Sequence, residues 1–347
     1  MEWGTCSRGV NMNRAHFYRA CMIFVSLLSA CSSVRLSKFD PEDPLLPQEL
    51  SVEDKERFEV RDIVVPENPN PPLESQNKEK SLLPTKKKKK VAVQTFKWPQ
   101  RNIEKRNPVW VGEKIHFDVS YLGVVAGKFS IEVLPMKQID NRDVFHLQGR
   151  AQSSKLFSLF YRLNDTIQSY WDFHGLFSHR FRIVLDESKQ TRDALEIYDS
   201  QKKQTVYWNR WERKNKPKVD KREVAEMPIF PQDSVSMLFY MRFVPLEVGK
   251  VVRQPVVSEG KTWEAEVHVV RRETIKTGAG KFNTIVVSPK MKYHGVIKQK
   301  GNSYIWLTDD ERRFPIRMHA EVKIGTIKAE AESIEMGDEH WTKNLLQ

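Results

Sequence analysis

From Trp110 onward, apolar and polar residues alternate with a period of two, and this restricts the fold more than any other feature of the sequence. Ile115-His-Phe-Asp-Val-Ser-Tyr121 alternates without a break, and Phe129-Ser-Ile-Glu-Val133 resumes the pattern after a turn around Gly123–Gly127. Successive side chains of a strand leave opposite faces, so segments like these bury one face each. Further strands are predicted over Val144–Arg150, Thr166–Phe173, Ser178–Leu185, Ala194–Tyr198 and Thr205–Trp208. The C-terminal half adds Val251–Ser258, Thr262–Glu273, Phe282–Pro289, Ser303–Leu307, Ile316–Val322 and Thr326–Ser333, with turns at Gly278-Ala279-Gly280 and before Gly325. Many short strands at this spacing predict an all-β domain, an antiparallel sheet curled into a half-barrel or barrel. Two segments break the rhythm. Asp233-Ser234 can cap a helix from about Ser234 to Phe243, with Val235, Leu238, Phe239 and Arg242 along one side, and Pro245 ends it. Ser153–Tyr161 is predicted as a second short helix that brings Leu156, Phe157 and Phe160 together to cover the sheet.

The N-terminus has a different character. Arg14 and Arg19 precede the uncharged run Ala20–Ala30, which is shorter than the roughly 20 residues a spanning helix needs. A basic start, a short apolar stretch and small residues at its end describe an export signal over residues 1–30. Met12 is an alternative start. The closing residues Leu28-Ser29-Ala30-Cys31 resemble the bacterial lipobox, which implies acyl chains on Cys31 as residue one of the mature chain. Cys21 competes poorly, because Tyr18-Arg19 stands where the apolar run is required. All three cysteines, Cys6, Cys21 and Cys31, precede residue 32, so the body of the chain can form neither a disulfide nor a cysteine metal site. Two or three acyl chains make a stable anchor where one does not. Ser32 follows the cysteine where some bacteria use Asp to retain lipoproteins in the inner membrane, and by that analogy the outer membrane, facing the periplasm, is expected.

Between anchor and domain, residues 31–107 read as a lipidated cysteine followed by a disordered tether. Ten of the eighteen prolines lie from Pro41 to Pro108, a density expected to exclude regular helix and sheet. Charge is polarised along it, with 12 acidic and 4 basic residues in 40–79, then 10 basic and 1 acidic in 80–106. The five lysines Lys86, Lys87, Lys88, Lys89 and Lys90 are either a contact for an anionic envelope lipid or polymer or a solvated, self-repelling spacer. As a flexible coil, the 76 residues of 32–107 span about 50 Å. Residues 108–347 then form the folded unit.

The order FDVSYLGVVAGKFSIEV, QDSVSMLFYMRFVPLEVGK, ETIKTGAGKFNTIVV and YIWLTDDERRFPIRMHAEVKIGTIKAE is similar to the bacterial DUF3108 family, a family of unknown function. The likeness covers nearly all of residues 110–335. It rests on Gly127, Asp233, Pro245, Gly249, Gly280, Trp306, Asp310, Pro315 and Gly325 in sequence. It implies an exported all-β domain with the sheet curled around a helix, akin to other half-barrel envelope lipoproteins, and no established activity.

Motifs of catalysis are missing: there is no GxSxG, HExxH, P-loop, dinucleotide fingerprint or CxxC. His174 and His179 bracket a turn and could meet across a hairpin, but without a placed carboxylate they make a poor metal site. His116, His268 and His319 fall within strands and read as structural. Asp309-Asp310-Glu311 reads as a charged turn that pairs with Arg312 and Arg313, since calcium wants more oxygen ligands at defined spacing. The basic stretch Trp211–Arg222 reads as a solvated hairpin tip. Tyr170, Trp171, Tyr304 and Trp306 are candidates to face an acyl chain or sugar, although aromatics in sheets are mostly core.

The leading expectation is therefore a non-enzymatic envelope lipoprotein, without cofactor or metal, whose β domain binds a lipid, a glycan or a protein partner. The alternative is a periplasmic glycan or lipid hydrolase with paired carboxylates from separate strands. A third reading, a basic cytoplasmic nucleic-acid-binding protein, requires that the N-terminus not be a signal, and nucleic acid is not expected as a partner.

Overall fold

The computed structural model describes residues 50–63, 96–101, 106–294, 296–297, 301–322 and 325–339. The strands are β1 (Arg61–Asp62), β2 (Val111–Tyr121), β3 (Val124–Ile139), β4 (Arg142–Ser153), β5 (Asn164–Asp172), β6 (Ser178–Asp186), β7 (Gln190–Asp199), β8 (Gln204–Arg213) and β9 (Val219–Glu226). They continue as β10 (Val251–Ser258), β11 (Lys261–Thr277), β12 (Gly280–Tyr293), β13 (Val296–Ile297), β14 (Ser303–Thr308), β15 (Pro315–Glu321) and β16 (Thr326–Asp338). Three short helices accompany them: α1 (Val52–Phe58), α2 (Lys155–Ser158) and α3 (Ser236–Tyr240). Each strand predicted from alternation overlaps an observed one. β9 escaped that reading because it carries charge on both faces, as befits a sheet edge that must not recruit another strand.

The strands form one antiparallel sheet in the order β10-β11-β12-β14-β15-β16-β2-β3-β4-β5-β6-β7-β8-β9, with β1 added to β3 and β13 to β12. Twist curls this ribbon until its two ends approach. No ladder joins β9 to β10 among the described residues, so the sheet is curled but unclosed. The gap is spanned by Gln232, which bridges to Val256 of β10, and by the β10–β11 turn. Glu196 of β7 accepts the turn's Glu259 and Gly260 backbone N–H groups at 2.8 and 2.9 Å. Gly127 is required where β3 passes β4, because a Cβ there would stand 2.3 Å from the Gln152 carbonyl oxygen.

α3 lies inside the curl, with Val235 and Phe239 in one core cluster and Met237 and Met241 in another. It is shorter than predicted: its last turn tightens to i→i+3 bonds, from Arg242 N–H to the Phe239 carbonyl and from Phe243 N–H to Tyr240. α2 departs from expectation. Its position is as read, but it links β4 to β5 beyond the end of the sheet, where no layer faces it. Leu156 and Phe160 are therefore 64% and 74% exposed and cover nothing.

The tether reading fails for residues 50–63. Ser51 caps α1 through a bond from Asp54 N–H, Phe58 enters a cluster with Ile139, Val144, Tyr170 and Ile197, and β1 pairs with β3. Arg57 also binds Asp199 at 2.8 Å and Asp140 at 3.3 Å. Proline density misled because no proline falls within residues 48–65, so the local sequence is free to fold. Phe58→Ala is expected to cost about 3 kcal/mol at this contact and to speed amide exchange across Val52–Phe58 by about 100-fold. β4 and β5 should exchange as before; uniform acceleration would mean that the segment unfolds only with the whole sheet.

Candidate ligand-binding cavity

Both ends of α3 are pinned by buried charge. At its start, Asp233 is 1% exposed. It accepts Val235 and Ser236 N–H at 2.8 Å and the Ser169 and Ser178 hydroxyls at 2.6 and 2.7 Å. Burial pushes its carboxyl above the ordinary range, and these bonds only partly offset that. At its end, Arg242 is also 1% exposed and pairs with Glu113 of β2 through both terminal nitrogens. It also donates to the Pro108 and Arg312 carbonyls at 2.5 and 2.8 Å. Arg312 adds a second cation on Glu113 at 2.6 Å and lies over the Trp110 ring. The aromatic rings of Phe145, Phe173, Trp171, Phe239 and Phe243 pack behind this network, so the β2-start end of the curl is filled.

Toward the other end the curl is wider than α3 can fill. A cavity of about 290 Å³ remains between the helix and the concave face. Met237, Leu238 and Met241 of α3 wall one side; Ile131, Ile167, Val267, Val287 and Leu307 wall the other. Methionine suits this place, since its flexible thioether adapts to occupants of different shape. Ser258, Met291, Ser303, Ala320 and Ile327 lie where their strands meet the loops, and these residues mark the mouth. Polar groups at the wall are few, Ser234, Ser258, Ser303 and His319 among them. Burial, with Lys328 and Arg317 nearby, holds the His319 imidazole down near pKa 4, so it is neutral at pH 7.

Of the four aromatic candidates, Tyr304 alone borders this cavity. Trp306 follows it by two, packs on His319 at 4.6 Å and donates its indole N–H to Glu273. Trp171 is fully buried behind α3 and donates to Gln232 at 2.9 Å. Tyr170 leaves the opposite face of β5, stacks on His146 at 4.6 Å and is covered by the α1 segment. Alternation could place these rings on strands but could not tell which face would be roofed, nor by what. Cys31 and Lys86–Lys90 lie outside the described residues. The α3 methionines that wall the cavity were missed, although their presence on the one interior helix was readable.

His179 and His174 do not form a site together. His179 is buried against Asp172 at 2.9 Å, whereas His174 is half-buried and 3.9 Å from Asp143. Burial alone would raise the Asp172 carboxyl, but the Arg142 and His179 hydrogen bonds outweigh it and hold it near pKa 2. The Asp309–Glu311 turn is indeed charged, yet its arginine partners differ from those expected. Asp310 accepts Arg312 and Arg313 backbone N–H, Asp309 pairs with Arg272, and the Arg312 side chain goes to Glu113. Among the described residues, no group of three or more His, Cys, Asp and Glu is placed to hold a metal.

One carboxyl pair does meet from separate strands. Asp165 of β5 and Glu187, just after β6, are both 2% exposed. Glu187 takes the Tyr161 hydroxyl and, at 2.7 Å, the Gln190 amide. Burial first, and the neighbouring Glu187 second, push Asp165 up to about pKa 9, so it keeps its proton at neutral pH. Neither residue borders the cavity.

The fold and cavity together define a curled-sheet β protein with an apolar chamber under an interior helix. Residues 116–332 match the family model described as a protein of unknown function, DUF3108, and the chain belongs to that family. No curated protein is detectably similar. Among solved structures, a β-barrel-like protein of domain DUF1849 from Brucella abortus aligns at 10% identity and TM-score 0.42, over 66% of this chain and 99% of that one. An exported protein of YmcC-like fold, so assigned provisionally, from Bacteroides fragilis aligns at 12% identity and TM-score 0.30, over 69% and 98%. A provisionally assigned lipoprotein from Parabacteroides distasonis gives 8% and 0.29, over 69% and 97%.

The Asp165 proton has a consequence for stability. The unfolded carboxyl ionises near pH 4 and the folded one near 9. Its contribution is therefore fully present below about pH 4 and is lost as pH rises toward about 9. Asp165→Asn, which keeps a neutral donor beside Glu187, is expected to raise the urea midpoint at pH 9 and leave it nearly unchanged at pH 4. Equal effects at both pH values would show that the pair does not titrate this way.

Proposed function

We propose that the protein is a cell-envelope lipoprotein without catalytic activity that holds an acyl chain of a lipid in the cavity beneath α3. The observation that carries this reading is the apolar chamber itself. At about 290 Å³ it approaches the lower bound of small-molecule sites, roughly 300 Å³, and a wall of Met, Val, Ile and Leu favours a hydrocarbon. A glycan would need many more hydrogen-bonding groups than the serines and His319 offer, because its hydroxyls lose water on entry. The lipobox-like Leu28-Ser29-Ala30-Cys31 supports acylation of Cys31, and Ser32 favours the outer membrane. No helix among the described residues is long and apolar enough to cross a membrane. The buried carboxyl pair Asp165 and Glu187 is enclosed and stands apart from the chamber, so the hydrolase alternative is not preferred.

The test is displacement of a fluorescent fatty acid from the purified full-length chain, backed by native mass spectrometry of the lipid it carries. Val267→Phe narrows the chamber and is expected to weaken binding by about tenfold, whereas His268→Ala, on the other face of β11, should leave it unchanged. Binding that survives Val267→Phe in a variant with an unchanged urea midpoint would place the lipid elsewhere. Palmitate labelling lost in Cys31→Ala checks the anchor separately.

A further inference from the structure

We infer that the rim around the cavity mouth is a docking surface for an anionic lipid bilayer and presents the chamber directly to it. The inference deepens the lipid-binding reading, but the surface stands on observations of its own. The rim is the ring of connections at one end of the curl. Backbone bonds of 2.9 Å join neighbouring segments along parts of it: Ser154 N–H to Ala126, Ser188 N–H to Arg162, Lys214 N–H to Lys189 and Glu321 N–H to Asn302. Leu122, Leu156, Leu159 and Phe160 stand exposed on its β2–β3 and β4–β5 connections, and Val124 and Val125 at the start of β3 beside them. Val296 and Ile297, between β12 and β14, are exposed on the same end. Eight of the fourteen exposed large hydrophobics among the described residues thus fall on this one end. Single exposed apolar residues need no explanation, but a cluster does.

Charge selects the occupant. The same connections carry Lys155, Arg162, Lys189, Lys214, Lys216 and Lys218. Their two acids are turned into the fold: Glu187 binds Tyr161 and Gln190, and Glu259 binds Arg192. Two of the cations are partly neutralised by strand-end acids, Arg162 by Asp186 and Lys218 by Glu212. Lys155, Lys189 and Lys216 give the apolar side chains a basic surround, the pattern of a surface that inserts shallowly among anionic headgroups. The chamber mouth opens on this end, while the opposite end is filled by the Arg242 network and its aromatic rings. A chain leaving the bilayer would enter the cavity without crossing water.

The experiment uses the full-length chain carrying Cys31→Ser, so that no acyl anchor contributes, with residues 1–30 common to every variant. Co-sedimentation is measured on vesicles of phosphatidylglycerol and phosphatidylcholine and on phosphatidylcholine alone. Lys155→Gln, Lys189→Gln and Lys216→Gln are expected to weaken partitioning onto the anionic vesicles by about fivefold for each lysine removed. Leu156→Ser, Leu159→Ser and Phe160→Ser together should weaken it by at least about tenfold. All six positions lie on connections rather than in the core, so an unchanged urea midpoint verifies the fold. A variant with Lys86–Lys90 changed to Gln should partition nearly as the parent does. Partitioning unchanged in both rim variants, equal on neutral vesicles, or lost only with Lys86–Lys90 overturns the inference. Rim variants that no longer sediment yet still bind the fatty-acid probe support it. Sedimentation that responds to the rim in a chain that binds no probe counts against the chamber alone.

Discussion

The ion pair of Arg242 with Glu113 fixes the character of this molecule. It ties the end of α3 to the first turn of β2, and the same guanidinium holds the Pro108 and Arg312 carbonyls. Removing one partner of a buried pair leaves an uncompensated charge, at a cost of about 3–5 kcal/mol, so the helix cannot leave this corner without a large penalty. Asp233 anchors the other end against Ser169 and Ser178. Held at both ends, α3 closes one end of the curled sheet and stops short of filling the other. The asymmetry between a filled end and a hollow one is what makes a chamber, and α3 is too short to abolish it.

The unclosed seam follows from the same polar economy. On β7 and β8 the inward face carries Arg192, Glu196, Tyr207 and Asn209 rather than hydrocarbon, and all are buried. They meet the β10–β11 turn, where Glu196 takes two backbone N–H groups and Arg192 takes Glu259 at 2.7 Å. Burial raises the Glu196 carboxyl to about pKa 7, against the pull of those N–H donors. A seam of specific hydrogen bonds fixes how far the sheet curls, which a continuous greasy contact would leave less well defined.

Most of the sheet was legible because period-two alternation reports a half-buried strand directly. The segments Ile115–Tyr121 and Phe129–Val133 show this plainly. The reading failed where burial was two-sided or absent. β5 and β7 are buried along nearly their whole length, so Tyr170 and Trp171, adjacent and both aromatic, gave no sign that one faces α3 and the other α1. β9 is charged throughout and looked like a loop. Arg242 was legible as a helix residue but not as the hub, because its partner Glu113 lies 129 positions away and a single sequence holds no trace of that pairing. The cavity is less legible still, being the difference between the volume a curl encloses and the volume α3 supplies.

The α1 segment docks at the filled end of the curl. Phe58 packs beside Ile139 and Val144, and Arg57 reaches Asp140 and Asp199, all near the filled end of the curl. Leu50 is already buried beside Phe58, so the sequence between Cys31 and this contact is the 18 residues 32–49. The rim lies at the other end of the curl, about 36 Å away along an 11-residue strand such as β2. Fully extended, 18 residues reach at most about 60 Å. The α1 contact and the rim thus lie at opposite ends of the curl.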